Sequence, residues 1–155
     1  RGVLLEREGQ DSLYTTVGWT GECTVWRVDK NNSLSVATKL VGHKYQVFDV
    51  DYHPRIASND PDTPNIATGG ADCLVRLWTL DLQEKEQNCL EFAGHEDRVN
   101  RSRFHPNGLH LVSASYDKTA QVWDIDKEKS MLKLTGHQAG IHTMSIHPDG
   151  SLIVD

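Results

Sequence analysis

Gly94-His95-Glu-Asp-Arg98-Val-Asn100-Arg101-Ser-Arg103-Phe104-His105-Pro106 opens a stretch that runs through Ser113 and Tyr116-Asp117 to Trp123-Asp124. The same landmarks stand upstream at Gly42-His43, His53-Pro54, Thr68, Asp72 and Trp78, and begin again at Gly136-His137 and His147-Pro148. His-Pro follows each Gly-His histidine by ten residues, and the aspartate precedes the tryptophan by six in both complete copies. The Gly-to-Gly spacings are 52 and 42; seven extra residues lie between His53-Pro54 and Asp72, and three after Trp78. Landmarks that recur in order at a period a little above forty residues mark a chain of repeated supersecondary units.

Within each unit, short runs rich in β-branched and aromatic residues are bounded by Asn, Asp, Gly and Pro, which reads as four strands. The first is predicted at Val47–Tyr52, Val99–Phe104 and Ile141–Ile146, and the second at Asn65–Thr68, at Leu109–Ser113 and from Ser151 onward. The third is predicted at Cys23–Val28, Leu74–Leu80 and Thr119–Ile125, and the fourth at Ala37–Leu40, Cys89–Phe92 and Met131–Leu134. No stretch of helical length carries a sustained apolar face. Pro54–Asn65, with three prolines, reads as an expanded loop between first and second strands.

These residues resemble the WD40 family, so the fold class implied is all-β: a WD40 β-propeller, incomplete in this chain. The expected division is a half-blade over 1–41, full repeats over 42–93 and 94–135, and the start of a repeat over 136–155. Upstream, Thr16-Val-Gly-Trp19-Thr20-Gly-Glu-Cys-Thr-Val-Trp26 has the shape of a repeat with Thr20 in the aspartate's place. Closing a propeller takes at least about four blades, and open sheet edges invite aggregation, so the chain reads as part of a longer protein.

The resemblance also implies a role for the landmarks. In WD40 blades the Gly-His histidine, a hydroxyl on the second strand, the aspartate and the tryptophan make a buried hydrogen-bonded tetrad. Here that gives His43, Thr68, Asp72 and Trp78, then His95, Ser113, Asp117 and Trp123. A buried carboxylate must be paired or hydrogen-bonded, and imidazole, hydroxyl and indole supply the donors. The role is structural. The residues such a propeller displays beside its Gly-His turns are Trp19, Gln46, Phe48, Ala71, Arg98, Asn100, Tyr116, Gly140 and His142. Trp, Tyr and Arg are the types that anchor interfaces, so this set is the expected partner-binding face, although Phe48 and Trp19 also suit wedges between blades. On the first strands, Asp49 and Asp51 stand at the positions that Arg101 and Arg103 hold one repeat later, an expected acid–base ladder around the central channel.

Chemistry is not indicated. Of eight histidines, six are repeat positions one blade apart, which leaves only His110 and His142 and no metal-ligand cluster. His, Asp and Ser recur as in hydrolase triads, but once per repeat and as a locked set, whereas a nucleophile needs one exposed site with a base and an oxyanion hole. No nucleophile elbow or phosphate loop occurs. The expectation is a non-catalytic protein with no cofactor and no small-molecule substrate. A net charge of −6 gives no general attraction for nucleic acid, no apolar run has bilayer length, and three cysteines at unrelated repeat positions read as free thiols of a reducing compartment.

A narrower resemblance follows from Asp60-Pro61 in the long loop, Ala71-Asp72-Cys-Leu-Val-Arg76-Leu-Trp78, His95-Glu-Asp-Arg98-Val-Asn-Arg101 and Tyr116-Asp117. This tandem is similar to that of WD-repeat pre-mRNA-processing factors of the U4/U6 small nuclear ribonucleoprotein. It implies a nuclear scaffold of the spliceosome that holds snRNP proteins, with indirect or weak U4/U6 snRNA association. The alternative is an adaptor of another complex, such as a ubiquitin-ligase substrate receptor, for which the expected location is cytoplasmic.

Overall fold

The computed structural model describes residues 2–6, 11–54, 66–80, 87–151 and 153–154. Three four-stranded antiparallel sheets follow one another along the chain, each in sequential strand order. The first is β1 (Gly2–Leu5), β2 (Ser12–Val17), β3 (Glu22–Val28) and β4 (Leu34–Val41). The second is β5 (Val47–Tyr52), β6 (Ile66–Gly70), β7 (Leu74–Leu80) and β8 (Gln87–Ala93). The third is β9 (Val99–Phe104), β10 (His110–Ser115), β11 (Ala120–Asp124) and β12 (Lys129–Leu134), and a small hairpin pairs β13 (Ser145–Ile146) with β14 (Ile153–Val154). No helix occurs among the described residues. This is the all-β architecture of an incomplete propeller.

Two expectations change. The region 1–41 is a whole four-stranded sheet, where a half-blade was expected. Ser12–Val17 buries Leu13, Thr15 and Val17 in strict alternation, the period of a half-buried strand, and β1 pairs along it from Gly2↔Thr16 to Leu5↔Leu13. Neither strand follows a Gly-His landmark, so the repeat pattern did not reveal them. The strand expected at Ile141–Ile146 shrinks to Ser145–Ile146. Ile141 and Met144 pack on Val112, Ala114 and Ala120 of the third sheet without extending the ladder. Apart from Pro54, the loop expected at Pro54–Asn65 lies outside the described residues.

The sheets pack face to face, with apolar layers between neighbours. One joins Leu13, Val17, Cys23, Val25 and Leu40 to Val47, Val50, Ile66 and Trp78. The next joins Ala67, Val75, Leu77 and Phe92 to Val99, Phe104, Leu111 and Trp123. Each tetrad tryptophan therefore faces the preceding sheet. The glycine of each Gly-His turn lies on the edge of that ring: a Cβ on Gly42 would stand 2.8 Å from Trp78 Cη2, and one on Gly94 would stand 3.0 Å from Trp123 Cη2.

Polar contacts also stitch the sheets. The channel acids act on the backbone as well as on Arg103: Ser102 N donates to Asp49 at 3.1 Å and Phe104 N to Asp51 at 2.9 Å, while Arg103 pairs with Asp49. They thus satisfy main-chain donors on the inner edge of β9, which no strand pairs. Burial pushes the Asp51 carboxyl up to about 6, against the Phe104 N–H and the Arg103 charge. On the side of the His-Pro turns, His53 Nε2 donates to Gly108 O at 2.9 Å and His105 Nε2 to Gly150 O at 3.0 Å, each reaching into the following repeat.

Candidate functional site

Both tetrads form. In the second sheet Trp78 Nε1 donates to Thr68 Oγ1 at 2.9 Å, Thr68 Oγ1 lies 2.8 Å from His43 Nε2, and His43 Nδ1 lies 2.8 Å from Asp72 Oδ1. The third sheet repeats this at 2.8 Å from Trp123 to Ser113, 2.7 Å from Ser113 to His95, and 2.8 Å from His95 to Asp117. An indole N–H only donates, so each hydroxyl oxygen accepts it. With the hydroxyl hydrogen passed on to Nε2, the imidazole hydrogen lies on Nδ1, facing the carboxylate, and at His43 the Arg76 Nη1 donor also stands 2.8 Å from that nitrogen. Both imidazoles are neutral in this chain of donors. Burial pushes His43 and His95 below the ordinary histidine value, although their aspartates pull the other way.

The aspartates are aimed inward by tight turns in which the next residue adopts a left-handed backbone, φ 65° at Cys73 and 70° at Lys118. Burial alone raises a carboxyl, but here hydrogen bonds outweigh it. Asp117 falls to about 2 under donors from Thr119, Glu96 N and His95, and Asp72 is lowered by Arg76, His43 and Lys44 N. Arg76 is a member that the landmarks missed. Its guanidinium donates to Asp72 at 2.7 Å and to Glu91 at 2.7 Å, and the third sheet has Gln121 in its place. In the first sheet the described residues include the matching outer pair, Trp26 Nε1 to Thr16 Oγ1 at 3.0 Å, and Thr20, in the aspartate's place, is exposed at the turn.

These shifts set a pH dependence. A histidine depressed in the folded state contributes stability that is complete above its unfolded value of 6.5 and is lost as pH falls through the folded value. Asp117, lowered from 3.8 to about 2, adds a second loss at stronger acid. Asp51 works in the opposite sense, because a raised carboxyl favours the folded state as pH falls through about 6. Urea midpoints of the Asp51→Asn variant are therefore expected to fall more steeply from pH 7 to pH 5 than those of the parent. A flat profile in that variant would show that the imidazoles are not buried neutral.

The tetrads hold the turns of the rim in place, and backbone bonds lock those turns together. Val47 N donates to Gly18 O at 3.0 Å, Ala71 N to Gln46 O at 2.7 Å, Tyr116 N to Arg98 O at 3.0 Å and Ile141 N to Ser115 O at 3.0 Å. On this rim Trp19 is 82% exposed and Tyr116 42%. His142 is exposed, and Gln46, Phe48, Ala71, Arg98 and Gly140 are half-buried. The Arg98 guanidinium lies 4.2 Å from the Tyr116 ring centroid and 5.7 Å from that of Phe48, with His142 edge-on to Tyr116 at 5.6 Å. The structure thus brings Phe48, Arg98, Tyr116 and His142 into one cluster.

Asn100 does not belong to this surface. It is buried, and its Nδ2 donates to Ile141 O at 2.7 Å. The position is an inter-repeat clip. Conversely, the sequence reading passed over Tyr45, 62% exposed two residues beyond His43. Among the described residues no group of three His, Cys, Asp or Glu side chains gathers as a metal site would require.

Comparison with known proteins bears on this arrangement. A family model described as WD domain, G-beta repeat, matches residues 33–79, 86–124 and 128–154. An uncharacterized WD repeat-containing protein of Schizosaccharomyces pombe is 36% identical over 105 residues, 66% of this chain and 21% of that protein. Nucleoporin Nup37 of Mus musculus is 41% identical over 68 residues, 43% of this chain and 20% of that protein. DDB1- and CUL4-associated factor 13 of Dictyostelium discoideum is 32% identical over 88 residues, 56% of this chain and 18% of that protein. The chain spans about a fifth of the length of these relatives.

Proposed function

Because the chain belongs to the WD domain, G-beta repeat family, we propose that it works as a protein-interaction scaffold whose docking surface is the rim around Arg98 and Tyr116. The observation that carries this is the stacked Arg98–Tyr116 pair at 4.2 Å, on turns that the tetrads fix from beneath. A guanidinium and an aromatic ring held in one geometry lose little freedom on binding, and both are enriched among residues that dominate interfaces. Nothing in this reading asks the protein for chemistry of its own.

The assembly we propose is the U4/U6 snRNP, in the nucleus, with snRNP proteins as direct partners and the snRNA reached through them. The support is the tandem pattern of Ala71-Asp72 to Trp78, His95 to Arg101, and Tyr116-Asp117. A second reading, a substrate-receptor adaptor of a ubiquitin ligase, is favoured by the similarity to a DDB1- and CUL4-associated factor. Affinity capture from nuclear extract separates them. Parent protein is expected to bring down U4/U6 proteins, and the Arg98→Ala/Tyr116→Ala variant to lose them with melting unchanged, a loss of about 2 kcal/mol or more of binding. Cullin-ligase subunits in place of snRNP proteins would favour the second reading, and normal capture by the variant would remove this rim from the docking surface.

A further inference from the structure

We propose that Arg98 reads a carboxylate: the rim around it takes a protein segment that presents a single acidic side chain flanked by large apolar ones. This rests on the reading of the rim as the docking surface and adds the chemistry of what docks. The described arginines differ in what they engage. Arg27 is paired with Asp11, Arg76 with Asp72 and Glu91, and Arg103 with Asp49, while Arg101 donates to a main-chain carbonyl. Arg98 stands alone among the described arginines. Its side chain makes no hydrogen bond or ion pair, and its Nε–H is buried without an acceptor.

Two nearby acids, Asp97 and Asp117, are committed elsewhere, and Glu96 is turned to solvent. The Asp97 carboxylate accepts from the Arg98 main-chain N–H at 2.7 Å. Asp117 is occupied by His95, Glu96 N and Thr119. The guanidinium is instead held by ring faces, Tyr116 on one contact and Phe48 on another, which leave its in-plane N–H groups unmatched. Gly140 lets Tyr116 lie there, since a Cβ at that position would stand 2.5 Å from the ring. The result is a fixed, weakly hydrated fork whose shape matches a carboxylate.

The surroundings narrow the ligand further. Glu96 and Asp97 are exposed beside Arg98, and the chain carries a net charge of −6, so a polyanion meets repulsion that one carboxylate avoids. Trp19 and Tyr45 are exposed at 82% and 62% on turns joined to this rim by the Val47 N to Gly18 O bond. They offer broad apolar faces for the residues flanking the acid.

The test uses the protein with synthetic acetylated and amidated nonapeptides that carry Asp, Asn, Glu, Gln or phosphoserine at the centre and Leu, Phe or Trp around it. Within this set, acidic centres are expected to bind about tenfold more tightly than their amides, roughly the effect of one charge-assisted bidentate pair. Arg98→Lys, which keeps the charge and loses the fork, is expected to shrink that preference, and Arg98→Gln to abolish it, both without change in melting temperature. Peptides that bind with no preference for acid over amide, yet weaken on Trp19→Ala, would overturn the carboxylate and leave the docking surface standing. Preferential binding of phosphoserine centres or of poly(U) RNA would overturn it in favour of a polyanion. If no peptide binds, the carboxylate proposal fails, while partner capture by the Arg98→Ala/Tyr116→Ala variant tests the surface separately.

Discussion

Asp72→Ala is expected to cost about 3–5 kcal/mol of folding free energy, the range for removing one partner of a buried ion pair. The Asp72 and Arg76 side chains are each 4% exposed, so the change leaves the buried guanidinium with the half-exposed Glu91 carboxylate alone, removes the acceptor of Lys44 N and of His43, and places the cost at the lower end of that range. Asp117→Ala removes a carboxylate of the same geometry but strands no cation, since Gln121 stands where Arg76 would be. Its cost is expected to be about 1–3 kcal/mol for each donor left unsatisfied, with Glu96 N able to turn to water. Urea denaturation of the two variants compares them directly. An Asp72→Ala midpoint no lower than that of Asp117→Ala would sink the ion-pair account, and no shift in either would remove the tetrads as stabilising units.

Trp123→Ala is the second large effect, expected at about 3–5 kcal/mol for loss of a fully buried indole. Trp123 is 1% exposed, meets Phe92 edge-on at 5.6 Å and covers Gly94. Its removal opens a cavity between the second and third sheets and withdraws the donor that begins the chain through Ser113 and His95. Trp123→Phe keeps most of the packing and is expected to cost about 1 kcal/mol, the net worth of one hydrogen bond. Trp26→Ala is expected to cost less than Trp123→Ala, because Trp26 is half-buried and its hydroxyl partner Thr16 donates to the Thr24 carbonyl at 3.5 Å. Equal losses at Trp123 and Trp26 would mean that the tetrad adds nothing to simple burial.

Both expectations concern residues that the repeat pattern marks, which shows how much of this protein is legible without coordinates. Gly-His, His-Pro, Asp and Trp recur at set distances because each satisfies a local requirement of the unit: an empty Cβ site over an indole edge, a turn, a carboxylate aimed inward, and a large apolar filler. Strands β5, β7 and β9 were placed to the residue because alternation and turn residues are themselves local. The pairing of Arg98 with Tyr116 was foreseeable for the same reason, since both positions flank landmarks of one unit.

What the sequence by itself determined, then, is the repeated sheet, its tetrads and the positions of the rim. Tertiary structure decided whatever joins one repeat to the next. It alone showed that Gly2–Leu5 and Ser12–Val17 complete a sheet, that Asn100 clips β9 to Ile141, that Asp49 and Asp51 satisfy the edge of β9, and that His53 and His105 reach glycine carbonyls 55 and 45 residues away. It also separated Arg98, held between rings with its Nε–H unmatched, from the other described arginines, all of which are engaged. The physical reason is range. Propensity and alternation act over a few residues and fix which face of a strand is buried, whereas the partner of a buried polar group is set by how successive sheets stack.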